Sequence, residues 1–223
     1  MGYHMREAIK TLRTNILFCG NDKQVIVVTS GVMGEGKSTV SIRLAESLAE
    51  LKKKVLLLDV DLRKSVMSSR LQTEGVSRGL THFLSGQCTL SDVVVSTDVP
   101  RLHVAFSGPV APNPTELLSG ERFSKMIESL RALYDYIIVD APPLGMVVDA
   151  AILAKNCDGA VLVLESGAVK YRLAQDVKRK IEDTGCPLLG VVLNKVNYKK
   201  NSKYYGKYYG KYYGKYYGED LGK

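Results

Sequence analysis

Three clusters in this chain have the residue types and spacing needed to handle a phosphorylated nucleotide. Residues 31–38, Gly-Val-Met-Gly-Glu-Gly-Lys-Ser, fit the pattern G-x-x-x-x-G-K-[ST]. Its glycines, Gly34 and Gly36 among them, let backbone N–H groups turn toward phosphate oxygens. Lys37 brings a cation to the β- and γ-phosphates, and the Ser38 hydroxyl is a hard-oxygen ligand suited to Mg²⁺. Asp59-Val60-Asp61 follows the apolar run 55–58. Two carboxylates two residues apart in an extended segment share a face, so one strand tip can serve a metal and the proton of a hydroxyl nucleophile. Asp140 closes Tyr-Ile-Ile-Val-Asp at 136–140. An apolar strand ending in a carboxylate is the Walker B arrangement, which holds Mg²⁺ directly or through water. A glycine turn, a solvated acidic turn or a capping aspartate would give the same letters singly. Three such motifs in one chain, each behind a buried-strand pattern, favour the nucleotide site.

The far end of the chain supplies acceptors. Residues 203–218 are four copies of Lys-Tyr-Tyr-Gly, with hydroxyls at Tyr204, Tyr205, Tyr208, Tyr209, Tyr212, Tyr213, Tyr216 and Tyr217. Glycine every fourth residue disfavours helix and strand alike, so this tail is expected to be disordered. Such a repeat can also bind nucleic acid or act as a weak adhesive. Beside a triphosphate site, phosphoryl transfer to the tyrosines is the stronger reading, and no nucleic-acid partner is expected.

Apolar periodicity places these residues on elements. Residues 24–30, 55–59 and 136–140 read as strands buried on both faces, as in a parallel sheet, with more strands at 102–106, 160–164 and 188–193. Helical spacing marks 6–18, 38–51, 121–133, 147–155 and 171–183. The alternation predicts an α/β fold of three layers, the P-loop NTPase architecture with a mostly parallel sheet, plus the C-terminal tail. Ligands of such sheets bind beyond the carboxyl ends of the strands, where each acidic motif sits. Residues 1–197 read as one P-loop domain and 198–223 as the tail; residues 1–5 receive no function.

Composition excludes several alternatives. The net charge of +8 suggests nucleic acid or membrane, but residues 198–223 hold seven Lys against two acidic residues, +5, leaving +3 on the preceding 197. Cys19, Cys88, Cys157 and Cys186 form no C-x-x-C pair, and the histidines lack metal-ligand spacing, so reduced thiols and no structural zinc are expected. No apolar run approaches the roughly 20 residues of a membrane span, and no secretory signal is present.

Taken together, the motifs resemble those of the bacterial tyrosine kinases of capsule and exopolysaccharide systems, the BY-kinases. That family has a Walker A loop, an apolar run followed by D-x-D-x-R, a Walker B strand and a C-terminal tyrosine cluster, all present here in order. Residues 107–118 (SGPVAPNPTELL) also look like the family's segment before the Walker B strand, and the likeness runs from about residue 7 to the C-terminus. It implies an ATP- and Mg²⁺-dependent autokinase. Lys37, Asp59, Asp61 and Asp140 would be catalytic, Asp59 accepting the tyrosine proton. Ser38, Asp61 and Asp140 would hold Mg²⁺. Gly34, Glu35, Gly36, Lys37, Ser38 and Thr39 would cradle phosphate, and Asn194 would contact the base. Arg63 matches the motif arginine, with no role beyond electrostatics near the phosphates. The family's E-x-x-R-x-x-R ring motif corresponds to Glu7, Lys10 and Arg13, and Lys10 lacks the bidentate fork of arginine. The resemblance further implies a separate transmembrane polysaccharide co-polymerase as activator, a tyrosine phosphatase, and a ring of identical subunits with the octamer as a candidate size. The location would be cytoplasmic, at the inner face of the membrane through the activator.

The alternative class is a P-loop ATPase switch of the partitioning and cell-division-site type. Those ATPases carry a lysine near the start of the loop, in K-G-G-x-G-K, that reaches across a dimer. Here Val32 and Met33 occupy the corresponding positions. A third class, a non-enzymatic partner of a polysaccharide chain-length regulator, would use nucleotide for assembly only.

Overall fold

The computed structural model describes residues 2–71 and 78–197; the segment 72–77 and the expected tail 198–223, with its eight tyrosines, lie outside the described residues. Chain order is α1 (Tyr3–Phe18), β1 (Val25–Ser30), α2 (Lys37–Glu50), β2 (Val55–Asp59), α3 (Met67–Arg70), α4 (Leu80–Leu84), β3 (Val94–Ser96), β4 (Leu102–Ala105), α5 (Pro114–Ser119), α6 (Glu121–Arg131), β5 (Tyr136–Asp140), α7 (Asp149–Ala154), β6 (Gly159–Glu165), α8 (Tyr171–Glu182) and β7 (Leu188–Asn194). The strands form one sheet in the order β3-β4-β2-β5-β1-β6-β7. Only β3, paired with β4, runs antiparallel.

The central strands are buried at every position because the sheet is covered on both faces. Successive side chains alternate between two cores. Ile26, Val28, Leu57 and Ile138 pack with Leu44 and Leu48 of α2 and Ile16 of α1. Val27, Leu56, Leu58 and Val139 pack with Phe123 and Met126 of α6, Leu153 of α7 and Val177 of α8. Each fully buried Leu or Ile contributes about 1.5–3 kcal/mol, so a slip of one residue in β2 or β5 would move whole rows to the wrong layer.

The predicted three-layer α/β fold is what the chain adopts, with differences at short elements. α1 begins at Tyr3, three residues before the helix expected from residue 6, so Tyr3, His4 and Met5 form its first turn. α3, α4, α5 and β3 have three to six residues each, too few for a periodicity to register. One of them had a readable signal, since Pro114 opens α5 at a first-turn position.

Register aligns the functional strand ends. Asp59 stands opposite Asp140 across β2 and β5, and Val28 of β1 stands opposite Asp140 on the other side. Glu165 and Asn194 pair at the ends of β6 and β7. All of these ends lie on one rim. Among the described residues, no helix is long and apolar enough to cross a membrane.

Candidate active site

The glycine loop joins β1 directly to α2, so the helix starts at Lys37 with its first amides aimed into the turn. No side chain caps this end and no acidic residue occupies the first turn, which leaves N–H groups for an anion. Gly36 has φ +91°, and a Cβ there would lie 2.1 Å from Asn194 Nδ2. Only glycine meets both conditions. Glu35 is spent inside the loop. Its buried carboxylate accepts the Val32 N–H at 2.8 Å and the Glu165 N–H at 2.9 Å. Asn194 donates its amide to the Glu35 carbonyl at 2.8 Å. Thus the ends of β6 and β7 fix the loop from behind, and Asn194 braces backbone, a role the sequence did not suggest. Thr39 Oγ1 takes a hydrogen bond from Arg70 of α3.

Lys37 joins the acidic motifs. Its Nζ lies 3.2 Å from Asp61 Oδ2 and 3.5 Å from Asp140 Oδ2, and 3.5 Å from Ser38 Oγ. Asp61 also accepts the Lys64 N–H at 3.0 Å, and Asp140 accepts the Ser41 hydroxyl at 2.9 Å. Burial pushes the Asp140 carboxyl upward, with Lys37 and the Ser38 and Ser41 hydroxyls opposing it. Asp59 has a different setting. It is buried, accepts the Ser65 hydroxyl and the Ser107 N–H (3.2 Å), and among the described residues forms no ion pair. Its Oδ1 has no hydrogen-bond partner among the described residues. Burial raises its pKa to about 6, against the pull of the Ser65 bond and with Asp140 adding to the rise. Asp59 therefore has the environment of a proton acceptor, while Asp61 and Asp140 have that of cation-binding carboxylates.

Arg63 pairs with an acidic residue that its motif does not contain. Its Nε donates to Asp149 Oδ2 at 2.6 Å and its Nη2 to Asp149 Oδ1 at 3.1 Å. Thr115 joins them, donating to Asp149 Oδ1 at 2.8 Å and accepting from Arg63 Nη2 at 3.0 Å. Asp149 is buried at the first turn of α7, so this clasp ties the D-x-D segment to α5 and α7. Sequence reasoning missed Asp149 and Thr115 because nothing local marks a pairing across 86 residues.

The family model for an AAA domain matches residues 23–172. Tyrosine-protein kinase CpsD of Streptococcus agalactiae is 48% identical over 199 residues, covering 86% of this chain and 87% of that protein. This chain belongs to the bacterial tyrosine-protein kinases. The kinase domain of the Escherichia coli tyrosine kinase ETK superposes on this kinase with a TM-score of 0.82 at 30% identity, covering 86% of this chain and 76% of that one. The septum site-determining protein MinD of Pyrococcus horikoshii OT3, complexed with Mg-ADP, has a TM-score of 0.67 at 27% identity, with coverage of 76% and 69%. The P-loop core is therefore common to both classes.

The donor chemistry of the kinase suits Mg²⁺. Among the described residues, no three His, Cys, Asp or Glu side chains converge on a metal position. Mg²⁺ needs fewer, because it keeps waters and is bound through one or two carboxylates plus substrate phosphates. Asp61, Asp140 and Ser38 offer that set of hard oxygens. On α1, Glu7 and Lys10 pair with each other at 2.8 Å, partly exposed. Arg13 turns inward instead, donating to the Ser47 carbonyl at 2.8 Å and the Ser47 hydroxyl at 3.0 Å, so in this chain it pins α1 to α2.

Proposed function

We propose that this chain is an ATP-dependent protein-tyrosine autokinase acting on its own C-terminal cluster. The observation that carries the reading is the convergence of Lys37, Asp61, Asp140 and Asp59 at adjoining strand ends. It occurs in a chain 48% identical to a tyrosine-protein kinase. In the transfer, the phenol oxygen of a tail tyrosine attacks the γ-phosphorus of ATP in line. The bond from that phosphorus to the β,γ-bridging oxygen breaks, and its electron pair leaves with ADP. The phenol proton passes to the Asp59 carboxylate. Lys37 and the amides at the start of α2 hold the phosphates while negative charge shifts. Ser38, Asp61 and Asp140 would hold Mg²⁺, which would supply neutralising charge to the phosphates when bound.

The proposal extends to context. Residues 1–197 act as the kinase domain and 198–223 as its substrate tail. The chain works in a ring of identical subunits, with Glu7 and Lys10 on the contact face. A transmembrane polysaccharide co-polymerase recruits it to the inner face of the membrane and activates it, and a tyrosine phosphatase resets it. The process served is synthesis and export of capsular or extracellular polysaccharide. What supports this is the motif set and the family; Asn194 would then act through the loop it braces, beside any contact with the base.

Incubation of the full chain and its activator with ATP and Mg²⁺, followed by intact mass measurement, tests the reading. Stepwise additions of one phosphate on the tail are expected. ADP release without any addition would establish the ATPase switch instead, and neither event would leave assembly as the role of the nucleotide.

A further inference from the structure

Beyond Asp59, on the side away from the glycine loop, a cleft of about 640 Å³ opens between the segment after β2 and the segment after β4. Arg63, Lys64 and His82 line it together with the hydroxyl residues Ser65, Ser68 and Ser107. Pro109 and Val110 add an apolar wall, and Val110 is exposed. None of its described lining residues is acidic, and none belongs to the loop 31–38.

The wall is preformed. The backbones of Gly79 and Gly108 touch so closely that a Cβ on Gly79 would lie 2.4 Å from the Gly108 nitrogen. Leu80 and Thr81 donate N–H groups to the carbonyls of Phe106 and Ser107 at 2.8 and 2.9 Å. His82 Nδ1 accepts the Gly79 N–H at 3.2 Å, which leaves Nε2 as its donor. Arg63 spends Nε and Nη2 on Asp149, and Nη1 takes no part in that pair. Ser65 and Ser107, which line the cleft, are the same residues that bond Asp59. The cleft thus adjoins the proton acceptor and offers the cations of Arg63 and Lys64, the Ser68 hydroxyl and the apolar wall of Pro109 and Val110.

We propose that this cleft binds an aryl phosphate, a phosphotyrosyl side chain, so that one modified tyrosine of the tail primes modification of the next. The inference rests on the autokinase reading. Its argument is charge complementarity. The unmodified repeat carries a lysine every four residues, which Arg63 and Lys64 repel. Each phosphate adds about −1.5 to −2 charge and turns that repulsion into attraction. Tyrosines occur in adjacent pairs four residues apart, so holding one of them raises the effective concentration of the others around the site. A phosphotyrosine held beside Asp59 therefore keeps its neighbour close to the transfer site. The wall of Pro109 and Val110 selects an aryl phosphate over the bare ion.

Two measurements test the proposal. Phenyl phosphate is titrated into the full chain with ADP and Mg²⁺ filling the nucleotide site, with inorganic phosphate and phenol in parallel. Phenyl phosphate is expected to bind at least tenfold tighter than either, and Lys64→Ala with Ser68→Ala, both at exposed positions, to cut its affinity at least tenfold. Equal binding of phenyl phosphate and inorganic phosphate, or indifference to the substitutions, overturns the site. The second measurement is a time course of tail modification by intact mass in the presence of the activator. The native chain should show multiply modified molecules beside unmodified ones, and the double variant a one-by-one progression with the first addition unslowed. A one-by-one progression in the native chain overturns priming. Absence of any addition in the native chain would refute the autokinase reading and priming with it, while the titration still decides whether the cleft takes an aryl phosphate.

Discussion

Asp59 and Asp140 end adjacent strands, yet their surroundings differ. Lys37 lies 3.5 Å from Asp140 and 3.2 Å from Asp61, whereas Asp59 is met by the Ser65 hydroxyl and by the backbone and side chain of Ser107. A carboxylate near pKa 6 can take a proton at neutral pH and give it back. Asp59→Asn should therefore lower the rate of tail modification about 10²- to 10⁴-fold, with ADP affinity in a fluorescence titration changed less than threefold. Equal loss of both would mean that Asp59 binds nucleotide instead. Gly36 has the opposite character, since its value is the absence of a side chain. Gly36→Ala puts a methyl at positive φ against the Asn194 amide. ADP affinity should fall at least tenfold in the same titration, with a thermal melt reporting that the sheet remains folded.

At the level of elements, the site is assembled by ties between segments distant in sequence. The Arg63–Asp149–Thr115 clasp joins the D-x-D segment to α5 and α7. Burial pushes the Asp149 carboxyl up, but the bonds from Arg63 and Thr115 outweigh it and hold the group below the usual carboxylate range. A depressed folded-state value means stability that is present above the unfolded pKa of about 3.9 and lost as pH falls through the folded value. Asp149→Asn should cost roughly 1–2 kcal/mol in urea unfolding at pH 7, allowing for the half-exposed guanidinium. That difference should stay level down to about pH 5 and shrink below pH 4. A difference that widens on acidification would refute this account of the clasp. The same variant should slow transfer more than it weakens nucleotide binding, because Arg63 stands two residues from Asp61 in the D-x-D segment.

For the whole molecule, the question is which active site a tail reaches. Were residues 198–223 as flexible as their composition leads one to expect, 20 of them would span on the order of 25 Å root-mean-square, so transfer to another subunit is open to test. Mixing a Lys37→Met chain with an active chain lacking residues 198–223 should put phosphotyrosine on the Lys37→Met chain; a blank result there rules out transfer between subunits. Full modification would reverse the charge of a segment that begins at +5, a change large enough to loosen a ring. The sequence by itself determined the layer architecture and the loop, because continuous β-branched runs and the glycine pattern are local signals that burial on both sheet faces enforces. It also marked Lys37, Asp59, Asp61 and Asp140, since each motif adjoins its own strand. Only the tertiary structure decided that Glu35 and Asn194 brace the loop, that Arg63 answers to Asp149, that Arg13 turns inward, and that Lys37 pairs with Asp61 and Asp140 while Asp59 forms no ion pair among the described residues. Those facts depend on strand order and on contacts between residues up to 159 positions apart, and no window of sequence contains both partners.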